Sequence, residues 1–234
     1  MRIFKKVLTA LAVGTVVLAA SSVREVYADD FVIPVETLNA AGIDSKISEC
    51  TTKYTVGQDR SKNIETAASY INGLVLVPGQ LFSYDYCIHP RTIENGYGPG
   101  NAIINGGYKK VIGGGICQVS STLNNAVLQA GIIPTERHNH STGVHYLPSG
   151  LDATVSAGTL DYQFVNTLAY PIYIQAIARD GLLTVAFYSN HDATSGIMYK
   201  TEVQGSAKKN TTYLVGYFNG VEISRFRAYS SSYK

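Results

Sequence analysis

Ile112-Gly113-Gly114-Gly115-Ile116-Cys117-Gln118 is the stretch on which the reading of this chain turns. Consecutive glycines run into a cysteine, and a helical pattern begins at once. Val119, Leu123, Ala126, Val127 and Ala130 recur at the spacing of one helix face, while Gln118, Ser121, Asn124, Asn125 and Gln129 fall elsewhere. The spacing therefore predicts a helix with Cys117 in its first turn, behind a loop whose backbone can approach a ligand closely. Unpaired amide N–H groups and the positive end of the helix dipole gather there, and both favour a thiolate over a thiol. The same donors suit an oxyanion formed by attack on a carbonyl, with Gln118 and the amides around Gly114 and Gly115 as candidates. The pattern is that of a cysteine nucleophile. The plainer reading is a tight turn before a small buried side chain.

Upstream, Ser61 reads as an N-cap, and Ile64, Ala67, Ala68 and Ile71 form the apolar stripe of a helix that stops at Asn72-Gly73. Leu74–Val77 reads as a short buried strand closed by Pro78-Gly79, and residues 81–84 resume in extended form. Pro90–Gly107 reads as a glycine-rich loop. Downstream the pattern turns to strands: Thr154–Ser156, Leu160–Val165, Pro171–Arg179 and Leu182–Tyr188, the last two joined by the hairpin turn Asp180-Gly181. A final hairpin joins Tyr213–Phe218 to Val221–Phe226 through Asn219-Gly220. The predicted class is α+β, with few helices, all in the N-terminal half, and antiparallel strands and hairpins in the C-terminal half.

A catalytic thiol needs a base, and Glu136-Arg137-His138-Asn139-His140-Ser141 follows the predicted Cys117 helix. His138 and His140 would point the same way in an extended segment, as a base with a neighbour or as half of a metal site with no obvious third ligand. Asp152 enters a predicted strand, where it either orients an imidazole or caps a turn. Arg137 offers a two-pronged grip on a substrate carboxylate, or else pairs with Glu136 or lies in solvent.

The first 28 residues have the three parts of a secretory signal peptide: basic Met1–Lys6, an uncharged apolar run over Val7–Ala20, and a small-residue site ending at Ala28. An uncleaved anchor is the minority reading, and either one places the protein outside the cytoplasmic membrane. Beyond the leader, 15 basic residues face 16 acidic ones, so no basic block points to nucleic acid. Residues 29–44 read as a weakly patterned lead-in, and 45–234 as a single domain ending in a β-hairpin portion. The odd number of cysteines suggests one bridge, Cys50 with Cys87, and one free thiol, Cys117; three thiols is the alternative. No cofactor or metal is expected, and the oligomeric state is open.

Together these segments resemble the VanW family of bacterial cell-envelope proteins. The likeness runs through Pro78-Gly79, Phe82-Ser83 and Gly96-Tyr97, then unbroken from Gly113 to Leu123. It continues through Glu136-Arg137, His140-Ser141, Tyr146-x-Pro148-x-Gly150 and Asp152-Ala153-Thr154-Val155. The family takes its name from a vancomycin-resistance gene cluster, and some members are cysteine-dependent L,D-transpeptidases that form 3–3 cross-links in peptidoglycan. The resemblance implies that Cys117 attacks the carbonyl before the terminal D-Ala of a tetrapeptide stem, and that an amine of a neighbouring stem takes the acyl group. It implies His140 as the base, Asp152 as its orienting group and Arg137 beside the substrate carboxylate, with His138 at a less fixed position near the substrate. The competing reading is a non-catalytic module that binds stem peptides or assists another envelope enzyme. Cys50 and Cys87 are outside the family pattern, as expected of a private disulfide.

Overall fold

The structure, a computed structural model, describes residues 35–104 and 107–234; the expected leader and the first part of the lead-in lie outside them. The N-terminal half holds α1 (Val35–Ala40), β1 (Ser45–Lys53), α2 (Asp59–Ile71), β2 (Leu74–Leu76), β3 (Leu81–Ser83) and α3 (Tyr84–Cys87). It continues with β4 (Pro99–Ile104), β5 (Gly107–Ile112) and α4 (Cys117–Gln129). Only strands follow: β6 (Gln163–Val165), β7 (Ile172–Arg179), β8 (Leu182–Ser189), β9 (Met198–Gly205), β10 (Lys209–Phe218) and β11 (Val221–Ser232). The class is α+β, and every paired strand is antiparallel to its neighbour.

The central sheet has the order β1-β8-β7-β2, and α2 and α4 pack against it. Ile64, Ala67, Ala68 and Ile71 of α2 meet Val119, Leu123, Ala126 and Val127 of α4 and Ile174, Val185 and Phe187 of the sheet in one apolar core. A second sheet, β11-β10-β9, stands beside it. Both predicted hairpins form because their Gly-containing turns accept left-handed backbone: φ is 51° and 80° at Asp180-Gly181, and 49° and 79° at Asn219-Gly220.

Several sequence expectations are corrected. α2 begins two residues before Ser61; the Ser61 hydroxyl sits in the first turn, accepting from the Gln58 N–H at 3.2 Å and donating to the Gln58 carbonyl at 2.6 Å. The expected loop over Pro90–Gly107 contains β4, which pairs with β5. Part of the lead-in is α1, and Thr154–Ser156 makes only isolated bridges, from Thr154 to His138 and from Ser156 to Leu160. No disulfide joins Cys50 to Cys87. Cys50 sits mid-strand opposite Val185 and Cys87 ends α3, each a small side chain against the apolar core. Burial pushes the Cys50 thiol up to about 11, which makes it a poor nucleophile.

Candidate active site

Cys117 is the first residue of α4, as the glycine loop predicts. Gly115 has φ +115°, and a Cβ there would lie 2.7 Å from Arg60 Cγ, so backbone and space both call for glycine. The loop tightens into the helix through Ile116 N–H to Gly113 O at 3.3 Å and Gln118 N–H to Gly115 O at 3.0 Å. The Gly114 N–H is bound to Val111 O at 3.1 Å, whereas those of Gly115 and Cys117 have no acceptor among the described residues. Two amide donors thus stand at the positive end of the α4 dipole, beside the thiol.

The polar residues of α4 do not face water. Ser120, Ser121, Asn124 and Asn125 are buried, and they hold the segment that follows Gly150. Ser120 Oγ donates to Ala153 O at 2.7 Å, and Ser121 Oγ accepts from Ala153 N–H at 2.9 Å. Asn124 and Asn125 donate to Leu151 O at 3.1 and 2.9 Å. These bonds fix Asp152 and Thr154 relative to the nucleophile, and Cys117 Sγ lies 3.6 Å from both Thr154 Oγ1 and Val155 O.

Asp152 is fully buried, and its carboxylate is saturated with donors. One oxygen accepts from the His140 backbone N–H at 2.7 Å and from His140 Nδ1 at 2.6 Å. The other accepts from Arg137 Nη2 at 3.0 Å and from the Tyr233 hydroxyl. Arg137 also donates through Nε to Asp152 O at 2.6 Å and through Nη1 to Ser231 Oγ at 2.7 Å, and its guanidinium carbon lies 4.1 Å over the Tyr229 ring. With Nδ1 held by Asp152, the ring leaves Nε2 for the thiol.

The charges of these groups are coupled. Burial alone would raise the Cys117 thiol, but hydrogen bonding and charge from His140 outweigh it and hold the thiol below its ordinary range. Burial alone would depress His140; Asp152 and Cys117 reverse that and raise the imidazole to about 9. Asp152 would likewise rise on burial, but His140 and Arg137 hold it below the usual carboxylate range. The arrangement shifts the balance towards a thiolate–imidazolium pair and away from a thiol waiting for a base.

The structure thus brings together Cys117, His140 and Asp152. It does not leave Arg137 for a substrate: with its side chain 2% exposed and bound to Asp152, the residue supports the carboxylate from inside. The Gln118 side chain is also engaged, donating to Thr52 Oγ1 at 3.0 Å and Lys53 O at 2.8 Å and accepting from Arg60 Nη2 at 2.8 Å, so it is no oxyanion donor in this arrangement. His138 turns to Glu136 at 3.0 Å, away from the Asp152 pair. Tyr146, Thr154, Arg60 and Tyr233 are the neighbours that sequence reasoning did not assign. Tyr146 and Thr154 stand within the quoted motifs, but nothing marks Arg60 or the far Tyr233.

The VanW-like family is matched over residues 59–188, which contain Cys117, His140 and Asp152. The chain belongs to that family. An uncharacterised protein, YoaR of Bacillus subtilis (strain 168), is 41% identical over 133 residues, which are 57% of this chain and 44% of that protein. The vancomycin B-type resistance protein VanW of Enterococcus faecalis (strain ATCC 700802 / V583) is 30% identical over 109 residues, 44% of this chain and 40% of that protein. The matched region thus spans less than half the length of either relative. No solved structure matches the chain. The VanW-like match ends before β9, so Tyr229, Ser231 and Tyr233, which support Asp152 and Arg137, lie beyond it.

Proposed function

We propose that this VanW-like protein is a cysteine-dependent L,D-transpeptidase acting on peptidoglycan stem peptides outside the cytoplasmic membrane. The observation that carries the reading is the buried Asp152–His140 pair set against a thiol at the N-terminus of α4. The Cys117 thiolate attacks the carbonyl that precedes the terminal D-Ala, and the developing oxyanion meets the N–H groups of Gly115 and Cys117. The C–N bond breaks as the His140 imidazolium gives its proton to the leaving nitrogen, which releases D-alanine and leaves a thioester on Cys117. Neutral His140 then takes a proton from the amine of a second stem as that amine attacks the thioester. The C–S bond breaks, an amide forms, and the thiolate–imidazolium pair is restored. Asp152 keeps the ring in one tautomer and stabilises its positive charge in both halves.

The reading is supported by the family match, by the resistance-linked name of the enterococcal relative, and by the leader pattern in residues 1–28. A mass-spectrometric time course with disaccharide-tetrapeptide fragments tests it, comparing wild type with Cys117→Ala. The expected result is loss of D-alanine together with a cross-linked dimer, both absent from the variant. D-Alanine loss without dimer makes water the acceptor and the protein a carboxypeptidase. Retained binding with no turnover across several stem types overturns the enzyme and leaves a stem-peptide binding module.

A further inference from the structure

His140 serves the Cys117 sulfur from one side, and a second polar group meets it from the segment after Asp152. Thr154 Oγ1 stands 3.6 Å from Cys117 Sγ, within reach of a hydrogen bond to sulfur, and the sulfur is its one partner among the described residues. The hydroxyl is placed by bonds on both sides. Thr154 N–H donates to His138 O at 2.8 Å, and Ser120 and Ser121 of α4 hold the carbonyl and the N–H of Ala153 just before it.

What Thr154 does depends on the charge of the sulfur. A thiol has its own hydrogen and gives it to Val155 O at 3.6 Å. A thiolate has none to give and needs donors instead. The other polar groups nearby are engaged elsewhere. The Tyr84 hydroxyl of α3 donates to Ile116 O at 2.9 Å, and that of Tyr146 lies 3.4 Å from both Cys117 O and Ser121 Oγ. Burial raises both phenols, so each stays uncharged at neutral pH. Arg60 of α2 reaches Gln118 at 2.8 Å and lies over the Tyr146 ring. The donors left for the sulfur are His140, with Asp152 behind it, and Thr154. Thr154 carries no titrating charge, so its bond strengthens and weakens with the sulfur alone.

The acyl-transfer reading above gives this bond a place in the reaction. A donor that lowers the basicity of a thiolate makes it a slightly weaker attacker and a better leaving group. We propose that Thr154 is a catalytic residue acting chiefly in the second half: its hydroxyl donates to the thiolate, is released when the acyl group bonds the sulfur, and takes up the charge again as the acyl-enzyme breaks down. In that step the acceptor's nitrogen bonds the carbonyl carbon and His140 takes its proton. The C–S bond then breaks, its electron pair passes to sulfur, and the Thr154 O–H bond forms to the thiolate. Water as acceptor changes nothing at the sulfur.

The test compares full-chain wild type, Thr154→Val, which removes the hydroxyl and keeps the shape, and Thr154→Ser, which restores it. Two readouts are needed. The first is the pH profile of iodoacetamide labelling of Cys117, which requires no substrate; Thr154→Val should shift its midpoint upward by at least about 0.5 pH, or about threefold in labelling rate below the midpoint. The second is whole-protein mass during turnover of disaccharide-tetrapeptide fragments, where the acylated fraction of Thr154→Val should rise at least about threefold. Thr154→Ser should return both towards wild type. An unchanged labelling profile, an effect that serine does not restore, or a shifted profile without accumulated acyl-enzyme overturns the assignment. Should Thr154→Val fail to fold, Thr154→Ala gives the same comparison. Release of D-alanine by wild type with an unshifted Thr154→Val removes Thr154 and leaves the enzyme standing. Absence of both D-alanine and acyl-enzyme from wild type removes the enzyme reading and this role with it, whatever the labelling profile.

Discussion

Two arginines bridge the C-terminal sheet and carboxylates, at similar distances and with opposite consequences. Arg225 on β11 reaches Glu202 on β9 at 2.7 Å and Glu222 at 2.8 Å, with all three side chains 33–40% exposed. Arg137 reaches Asp152 at 3.0 Å, with side chains 2% and 1% exposed, and leans on Ser231 and Tyr229 of β11. The exposed arginine–carboxylate contacts are the shorter ones and yet add little, because water solvates each charge nearly as well as its partner does. The buried network cannot be relieved by water, so removal of one member strands the others. Distance alone does not rank ion pairs; the surroundings do.

The largest effect expected from breaking this contrast is that of Arg137→Ala. It leaves the Asp152 carboxylate buried with one of its two counter-charges gone, which should cost about 3–5 kcal/mol, read as a lower midpoint in urea unfolding. Tyr233→Phe comes next: it deletes one donor to the same carboxylate and should cost about 1.5–3 kcal/mol in the same assay. An unchanged midpoint would mean that the segment after β11 merely lies beside the site.

The third prediction concerns pH. The lowered Cys117 and the raised His140 together keep the thiolate populated below the ordinary thiol range, so iodoacetamide should label Cys117 rapidly even at pH 6.5. Asp152→Asn removes the charge that helps hold His140 protonated, and labelling at that pH should slow at least about tenfold. Stability should follow the same groups in opposite directions. The raised His140 contributes fully below its unfolded value of about 6.5, and that contribution is lost as pH rises through about 9. The lowered Asp152 contributes above its unfolded value of about 3.9, and that is lost as pH falls through its depressed folded value. The smallest effect belongs to Arg225→Ala, for which no change in labelling and no resolvable shift in unfolding midpoint is expected. A shift comparable to that of Arg137→Ala would remove the contrast between the two networks.

The same distinction between local and distant causes separates what could be read in the sequence from what could not. Cys117 at a helix start, both Gly-containing hairpin turns and the apolar stripes of α2 and α4 rest on neighbours within a few residues, and their signals are strong. β1 escapes because Ser45–Lys53 is mostly polar and is ordered by pairing with β8, more than a hundred residues away. The polar face of α4 looks solvent-facing in sequence, yet it is buried because the 151–153 segment folds over it. His140 and Asp152 stand out through family-like motifs, whereas the sequence around Arg137 suggests a substrate contact because nothing local reveals that Ser231 and Tyr229 enclose it. Pairing Cys50 with Cys87 rests on parity, an argument that carries no information about distance.

The support that Tyr233, the residue after β11, gives to Asp152 also has a consequence in time. A growing chain contains Cys117, His140 and Asp152 long before it contains Tyr233, which comes 81 residues after Asp152. At ordinary synthesis rates of about 5–20 residues per second, that interval is about 4–16 s. Throughout it the carboxylate lacks part of its cradle and the thiol lacks its full tuning. The cradle of Asp152 is therefore complete only once the last strand and the residue after it are in place.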